Sequence, residues 1–298
     1  MAVFQTYQAS AGNREDLIDV ITNISHTDTP ILSMLGRAKA TSTKHEWLTD
    51  SVSGGTSINK AVEGADTTFP TLTARTRVFN YTQNLEEPFQ ISEDQEAVNP
   101  AGVAGEFAYQ MKKAMQELAV DIEYSLVNGA SASGASGTAR EMNGIVAFIT
   151  TNVNSATAAR ALTNTIYNDG LQTVFGNSKV RISDIFAGGF QKRTISGFST
   201  ANTRYVDVSG KKLQTAIDVY EGDFGRQKIH LHYQIGAAIP GTLIGVDPSY
   251  WKTAWLQPVK SEKLSKSGDS IKARVYCKLT LEARNEKSGV KWSQLTTS

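Results

Sequence analysis

The chain has 298 residues, 40% of them hydrophobic, and its 30 basic and 29 acidic residues leave a formal charge of +1. That length and apolar content suffice for one large domain or two ordinary ones, while the balanced charge argues against a protein whose main role is gripping polyanions. The single cysteine, Cys277, excludes an internal disulfide and a cysteine-based zinc cluster, and no apolar run approaches the ~20 residues that span a bilayer.

The start, MAVFQTYQASAGNRED, has no basic region followed by an apolar run, so nothing directs the chain to secretion. Leu17, Ile18, Ile21 and Ile24 then fall at helical spacing, and Thr29-Pro30 precedes a second apolar patch, ILSML. With no core of its own, this segment reads as an arm. Residues 41–70, TSTKHEWLTDSVSGGTSINKAVEGADTTFP, are charge, glycine and threonine with one tryptophan. Burying a Leu- or Phe-sized side chain is worth only ~1.5–3 kcal/mol and ordering a residue costs a comparable amount, so this stretch cannot hold itself together. After Pro70, TLTARTRVFNYTQNLEEPFQIS has the threonine and aromatic content of an extended strand. Paired with residues 45–52 it predicts a long β-hairpin with arms of about fifteen residues, ~50 Å in length. Gly54, Gly55 and Gly64 fall at its tip.

Asn99-Pro100 predicts the start of a helix over residues 100–128, with proline at the first helical position. Val103, Phe107, Met111, Met115, Leu118, Ile122 and Leu126 recur every three or four positions and mark the buried stripe of a rod ~40 Å long. Asn128-Gly129 stops it, and ASASGASGTAR reads as a flexible linker between units. The pattern then becomes mixed. Residues 161–175 predict a helix, 180–186 a strand and 191–198 a helix or loop, while YVDVSGKK, LQTAIDVYEGDFG, RQKIHLHYQI and GTLIGVD supply short strands. In SIKARVYCKLTLEARNEK, Ile271, Ala273, Val275, Cys277, Leu279, Leu281 and Ala283 line one face of a half-buried strand. The fold class is α+β.

His230-Leu231-His232 puts two imidazoles on one strand face, but a metal site needs a third ligand, and His26 and His45 lie in the arm and the hairpin. The pair reads as a polar strand face; a metal-dependent enzyme using His230 and His232 stands as a rival. Asp223 with Asp247, or Glu86 with Glu87, has no spacing that singles it out as an acid–base pair. SVSGGTSINK and FAGGFQKR lack the order of a phosphate loop, no G-x-S-x-G elbow is present, and Cys277 sits on an apolar strand face where a thiol is inert. Lys260, Lys263, Lys266, Lys272 and Arg274 form a basic region broken by Glu262 and Asp269, which reads as a solvated loop or subunit contact. No catalytic, cofactor-binding or metal-binding residue is assigned. The chain is not expected to be an enzyme or to carry a cofactor.

An exposed two-stranded ribbon is only marginally stable in water, and a long structureless excursion is improbable inside a compact monomer. A neighbouring copy is therefore expected to supply the missing surface. Trp47, Ile58 and Phe69 serve as apolar anchors, and Lys44, Glu46, Asp50, Lys60, Glu63, Arg75 and Arg77 set the register by charge pairing.

Arm, long hairpin, long helix, mixed α/β segment and returning strand resemble the order of parts in Hong Kong 97-type major capsid proteins of tailed bacteriophages. The phrases TPILSMLGRAKATSTKHEWLTDS, DIEYSLVNG, AREMNGIV, IDVYEGDFGRQKI, GVDPSYW and LSKSGDSIKARVYCKLTLEARNEKSG resemble the SU-ten-like major capsid family over nearly the whole chain. The resemblance implies an N-terminal arm (residues 1–37), an extended loop (38–80), a peripheral domain (81–144 and 257–298) with a spine helix at 100–128, and an axial domain (145–256). It also implies a strand at 271–286 pairing near residues 79–91. Pentamers and hexamers would close into an icosahedral shell around double-stranded DNA, with residues 130–137 and the hairpin ends as hinges. DNA contact would be weak and non-specific, and no membrane is implied. A portal, and separate scaffolding or decoration proteins, are the further partners implied; assembly would take place in the host bacterial cytoplasm and the product would be the virion capsid. No cross-linking trio is identifiable around Lys60, so covalent cross-linking is not expected. An encapsulin-like nanocompartment shell is the alternative on the same fold.

Overall fold

The computed structural model describes residues 28–52, 58, 60–64, 66–67, 69, 71–98, 105–198, 218–266 and 268–297. The expectations for Leu17 to Ile24, Gly54, Gly55, Val103 and YVDVSGKK lie outside the described residues.

In chain order, a short helix α1 (Pro30–Met34) leads into β1 (Gly36–Lys39). β2 (Lys44–Thr49) and β3 (Thr76–Tyr81) follow, then β4 (Gln83–Ser92), α2 (Glu93–Ala97) and the long α3 (Glu106–Asn128). Next come α4 (Ile145–Phe148), β5 (Val153–Asn154), α5 (Asn164–Ser178), β6 (Asp184–Ala187) and α6 (Gly189–Gly197). The chain continues through β7 (Val219–Gly222), β8 (Gly225–Leu231), α7 (Tyr233–Ala238), β9 (Leu243–Val246), β10 (Trp251–Leu264), β11 (Ser270–Ala283) and β12 (Gly289–Trp292).

The alternation in β11 buries Ala273, Val275, Cys277, Leu279 and Leu281 completely and leaves Ile271 half-buried. That strand is the centre of a sheet ordered β1-β10-β11-β4. Its register against β4 runs from Ser270 opposite Ser92 to Leu279 opposite Gln83. β10 has no counterpart in the sequence reading. Its inner half is anchored by buried Trp251 and Ala254, while its outer half, KSEKL, is exposed and the ladder slips register between Gln257 and Lys260. Pro258 sits in that slip, where a missing N–H costs nothing. β1 adds to β10 in parallel, Gly36 opposite Lys252, so the end of the expected arm is a strand of the main sheet.

A second sheet, ordered β5-β12-β9-β6-β8-β7, carries α5 on one face. Tyr167 of α5 stacks on Trp292 of β12 with ring centroids 5.6 Å apart. Gly170 is required there, because a Cβ would lie 2.3 Å from the Trp292 ring nitrogen. Two expected boundaries shift as a result. A break between residues 256 and 257 would cut through β10, and β12 belongs to the second sheet while β11 belongs to the first.

α3 lies on the first sheet, with α1 and α4 in the same core. It begins at Glu106 with Gly105 extended ahead of it, and the expected start at Pro100 lies outside the described residues. One N–H of the first turn is satisfied from α2, where the Glu96 carboxylate accepts the Phe107 N–H at 2.9 Å. Leu118, Ile122 and Leu126 are buried and Phe107 and Met111 half-buried, but Met115 is 44% exposed and Ala114 fills the place expected for it. The two residues flank the stripe on opposite sides, and the packed side is that of Ala114.

Residues 130–143 do not behave as a free linker. They form a small hairpin bridged at Ala132–Glu141 and Ala135–Thr138, and Arg140 Nε donates to the Thr82 carbonyl at 3.2 Å. Its ends are pinned together where the Gly144 N–H donates to the Gly129 carbonyl at 2.9 Å. Both positions need glycine: a Cβ on Gly129 would sit 2.3 Å from the Met142 carbonyl oxygen, and one on Gly144 would sit 2.7 Å from the Val127 carbonyl oxygen. Among the described residues, no helix is long and apolar enough to cross a membrane.

Candidate assembly surface

Among the described residues β2 and β3 pair only with each other, Lys44 opposite Tyr81 through Thr49 opposite Thr76, which is shorter than the expected ribbon. Continued beyond Thr49, the register would set Asp50 against Arg75, Ser51 against Ala74 and Val52 against Thr73, a single β-branched pair before SGG, which is too little to extend the ladder. Alternation splits β2 into two faces. His45 and Trp47 turn toward the body, and Lys44, Glu46 and Leu48 turn away from it.

Side chains fix the inward face. Trp47 Nε1 donates to the Ala283 carbonyl at 3.0 Å, and its ring lies 6.2 Å from that of Phe148. His45 Nε2 is 3.1 Å from Glu282 Oε2, while Arg284 Nε donates to Glu282 Oε1 at 2.6 Å. The bond from His45, reinforced by Arg284, draws the Glu282 carboxyl down to about 2 against the cost of its burial. Asn80, fully buried on β3, donates from Nδ2 to the carbonyls of Leu281 (2.8 Å) and Asn143 (3.1 Å) and accepts the Asn143 N–H at 2.8 Å. The hairpin root is therefore rigidly held by its own chain. Trp47, expected as an anchor in a neighbour, is an anchor in its own body, because position 47 shares the face of His45.

On the outward face Lys44 Nζ lies 2.7 Å from Glu46 Oε1 and 4.3 Å from the Phe79 ring centre. Arg77 reaches Glu46 Oε2 at 3.4 Å, and Arg75 reaches Asp50 at 3.6 Å. The hydrogen bond from Lys44 holds the Glu46 carboxyl below its ordinary range. Leu48 is 60% exposed beside these pairs. Farther out, Val52, Ile58, Val62, Phe69 and Leu72 are between 78% and 102% exposed. Lys60 and Glu63 are exposed as well, and Glu63 and Gly64 form a turn in which Gly64 takes φ +77°, a region glycine favours. Of these exposed apolar side chains the sequence reading named Ile58 and Phe69 and not Leu48, Val52, Val62 and Leu72. The signal was there: isolated apolar residues in a polar stretch too poor to form a core.

The family model described as SU10 major capsid protein matches residues 4–296. The chain belongs to that family. A curated relative of this SU10-family chain, the major capsid protein of Escherichia phage Phieco32, is 27% identical over 127 residues, 43% of this chain and 36% of the relative. In that match the chain spans about a third of the relative's length. Among solved structures, the capsid of the native GTA particle is 9% identical with a TM-score of 0.72, covering 99% of this chain and 100% of that one. The cyanophage A-1(L) capsid is 13% identical with a TM-score of 0.70, covering 99% of each chain. The SrpI encapsulin complex of Synechococcus elongatus is 7% identical with a TM-score of 0.62, covering 100% of this chain and 98% of that one. These likenesses establish the α+β, Hong Kong 97-type fold. Capsids and the encapsulin share it, so the family match is what separates them.

Other candidate groups in the SU10-family chain are absorbed by the fold. β8 ends at Leu231, so His232 leaves the strand and caps α7. His230 Nε2 meets Asp184 Oδ1 at 2.8 Å and His232 Nε2 meets Glu123 Oε1 at 2.8 Å, so the two rings serve different carboxylates while both contact Phe186. No group of three or more metal-ligating side chains converges among the described residues. Arg274 of the basic region bridges Glu86 and Glu262, each at 3.0 Å, and Lys263 lies over the Phe107 ring. Burial pushes the Cys277 thiol up to about 12.

Proposed function

We propose that the chain is the major capsid protein of a tailed bacteriophage or prophage, and that its copies assemble through pentamers and hexamers into an icosahedral shell enclosing double-stranded DNA. The observation that carries this reading is the contrast within the loop. A root locked to its own body presents Val52, Ile58, Val62, Phe69 and Leu72 to solvent, and burying each against a neighbour is worth ~1.5–3 kcal/mol. Head-to-tail contacts of this kind close into rings, and a closed shell multiplies modest contacts into a durable particle.

On this reading residues 1–37 are the arm, 38–80 the extended loop, and 81–144 with most of 257–298 the peripheral domain. Residues 145–256 form the axial domain, which β12 rejoins. The role is structural and not catalytic. The near-neutral charge supports loose, salt-sensitive contact with packaged DNA. A portal and separate scaffolding or decoration proteins complete the partners, assembly occurs in the host cytoplasm, and the product is the virion capsid.

Electron microscopy of the purified protein tests the proposal: closed icosahedral shells are expected, and a uniform population of monomers would sink it. Deleting residues 51–66 is expected to leave a folded protein that forms no shells. Normal shells from that deletion would remove the loop from the assembly contact.

A further inference from the structure

Glu123 of α3 lies beside the Leu118, Ile122 and Leu126 stripe, with 1% of its side chain exposed. Its carboxylate takes three donors. The Ile31 N–H and His232 Nε2 reach Oε1, each at 2.8 Å, and the Leu32 N–H reaches Oε2 at 2.8 Å. Ile31 and Leu32 belong to the first turn of α1, whose own N-cap residue, Thr29, makes no side-chain cap bond. A carboxylate on another helix thus supplies the acceptor that the first turn of α1 needs. His232, also 1% exposed, makes a second bond as well, in which its Nδ1 accepts the Ile235 N–H of α7 at 3.2 Å. A ring nitrogen that accepts carries no proton, so Nε2 holds the proton and donates it to Glu123.

Three pieces remote in sequence therefore meet on one carboxylate: the segment entering from the arm, the spine helix of the first sheet, and α7 at the exit from β8 of the second sheet. Every donor and acceptor in the cluster is matched, and the site is closed to water. Hydrogen bonds of this length fail beyond ~3.5 Å, so a relative shift of about 1 Å between α7 and α3 breaks the His232 contact. Glu123 is then a buried anion short of one donor, a state that favours opening the site to water. Opening it means undocking α1.

We infer that His232 is a positioning residue for the arm: through Glu123 it makes docking of α1 conditional on the relative placement of the two sheets. This goes beyond the capsid reading and holds or fails in a single chain. In a shell built from rings of two sizes, the same joint would let the arm take a different path wherever the sheets are rotated.

Hydrogen exchange on the purified full-length chain tests it. In native-state exchange under rising denaturant, the amides of Ile31, Leu32 and Ile235 are expected to merge into one opening event; separate openings would overturn the inference. His232→Asn keeps an acceptor for the Ile235 N–H but cannot reach Glu123, and should lower protection at Ile31 and Leu32 about tenfold, the equivalent of one hydrogen bond. His232→Gln restores a donor toward Glu123 and should return that protection, with the β11 amides unchanged in both variants as the control for the fold. Equal protection of Ile31 and Leu32 in the asparagine variant and the original chain, or a glutamine variant no better than the asparagine one, would also overturn it. If either variant unfolds, the merging of the three amides in the unmodified chain decides the matter alone.

Discussion

Asn80 has no exposed surface and every polar atom of its side chain is in use: Nδ2 gives both protons to the Leu281 and Asn143 carbonyls, and Oδ1 accepts from the N–H groups of Tyr81 and Asn143. An aspartate there would aim an acceptor at two carbonyl oxygens. Asn80→Asp is therefore expected to cost ~3 kcal/mol or more, measured by chemical denaturation at pH 7; a change within ~0.5 kcal/mol would show that this residue does not hold the hairpin root. Nothing in VFNYTQ sets Asn80 apart in the sequence, because its partners lie 63 and 201 positions away. The same distance hides Glu123, which reads as one more polar residue beside the helix stripe, 109 positions from His232. The histidines misled for a local reason. A period of two puts His230 and His232 on one face only while the strand continues, and β8 stops between them.

Where β4 meets α3, a half-buried Glu87 faces Asp121 and Glu117 of the helix. Desolvation first, then its hydrogen bond with Asp121 and repulsion from both carboxylates, raises the Glu87 carboxyl to about 7. The folded chain binds this proton more tightly than the unfolded one, whose value is 4.5. Its contribution to stability is thus full below pH 4.5 and is lost as pH rises to about 7. Glu87→Gln is expected to raise stability by about 1 kcal/mol at pH 8, solvent having cut the full value of the shift, and to change little at pH 4; thermal melting at both values checks it, and equal shifts would refute the assignment. Glu282 runs the opposite way, its contribution present above pH 4.5 and lost as pH falls to about 2. Elements were legible where a strong period was uninterrupted, as in β11 and the central turns of α3. They were illegible where pairing created the strand. β10 contains Pro258 and a polar outer half, and β1 exists because β10 offers it an edge.

The order of parts together with the family phrases was enough to point to the capsid fold, since hairpin, long helix and returning strand each leave a compositional trace. The return of β12 to the second sheet leaves none, because four residues, GVKW, carry no period of their own. The hairpin shows what a trace can and cannot specify: its protrusion follows from too little apolar mass, but which side chains face a neighbour depends on the register of β2. Adjacent residues on that strand should therefore fail in different ways. Trp47→Ala removes a ring that packs on Phe148 and bonds to Ala283, so it should destabilise the isolated chain by ~2 kcal/mol, less than a fully buried tryptophan would. Leu48→Asp alters a side chain that is 60% exposed, so the chain alone should keep its stability to within ~0.5 kcal/mol. In a shell the same change places a carboxylate in a contact that must exclude water, so sedimentation velocity should find subunits and small oligomers in place of particles. Should the aspartate variant assemble normally while the alanine variant keeps full stability, the two faces of β2 have been assigned the wrong way round.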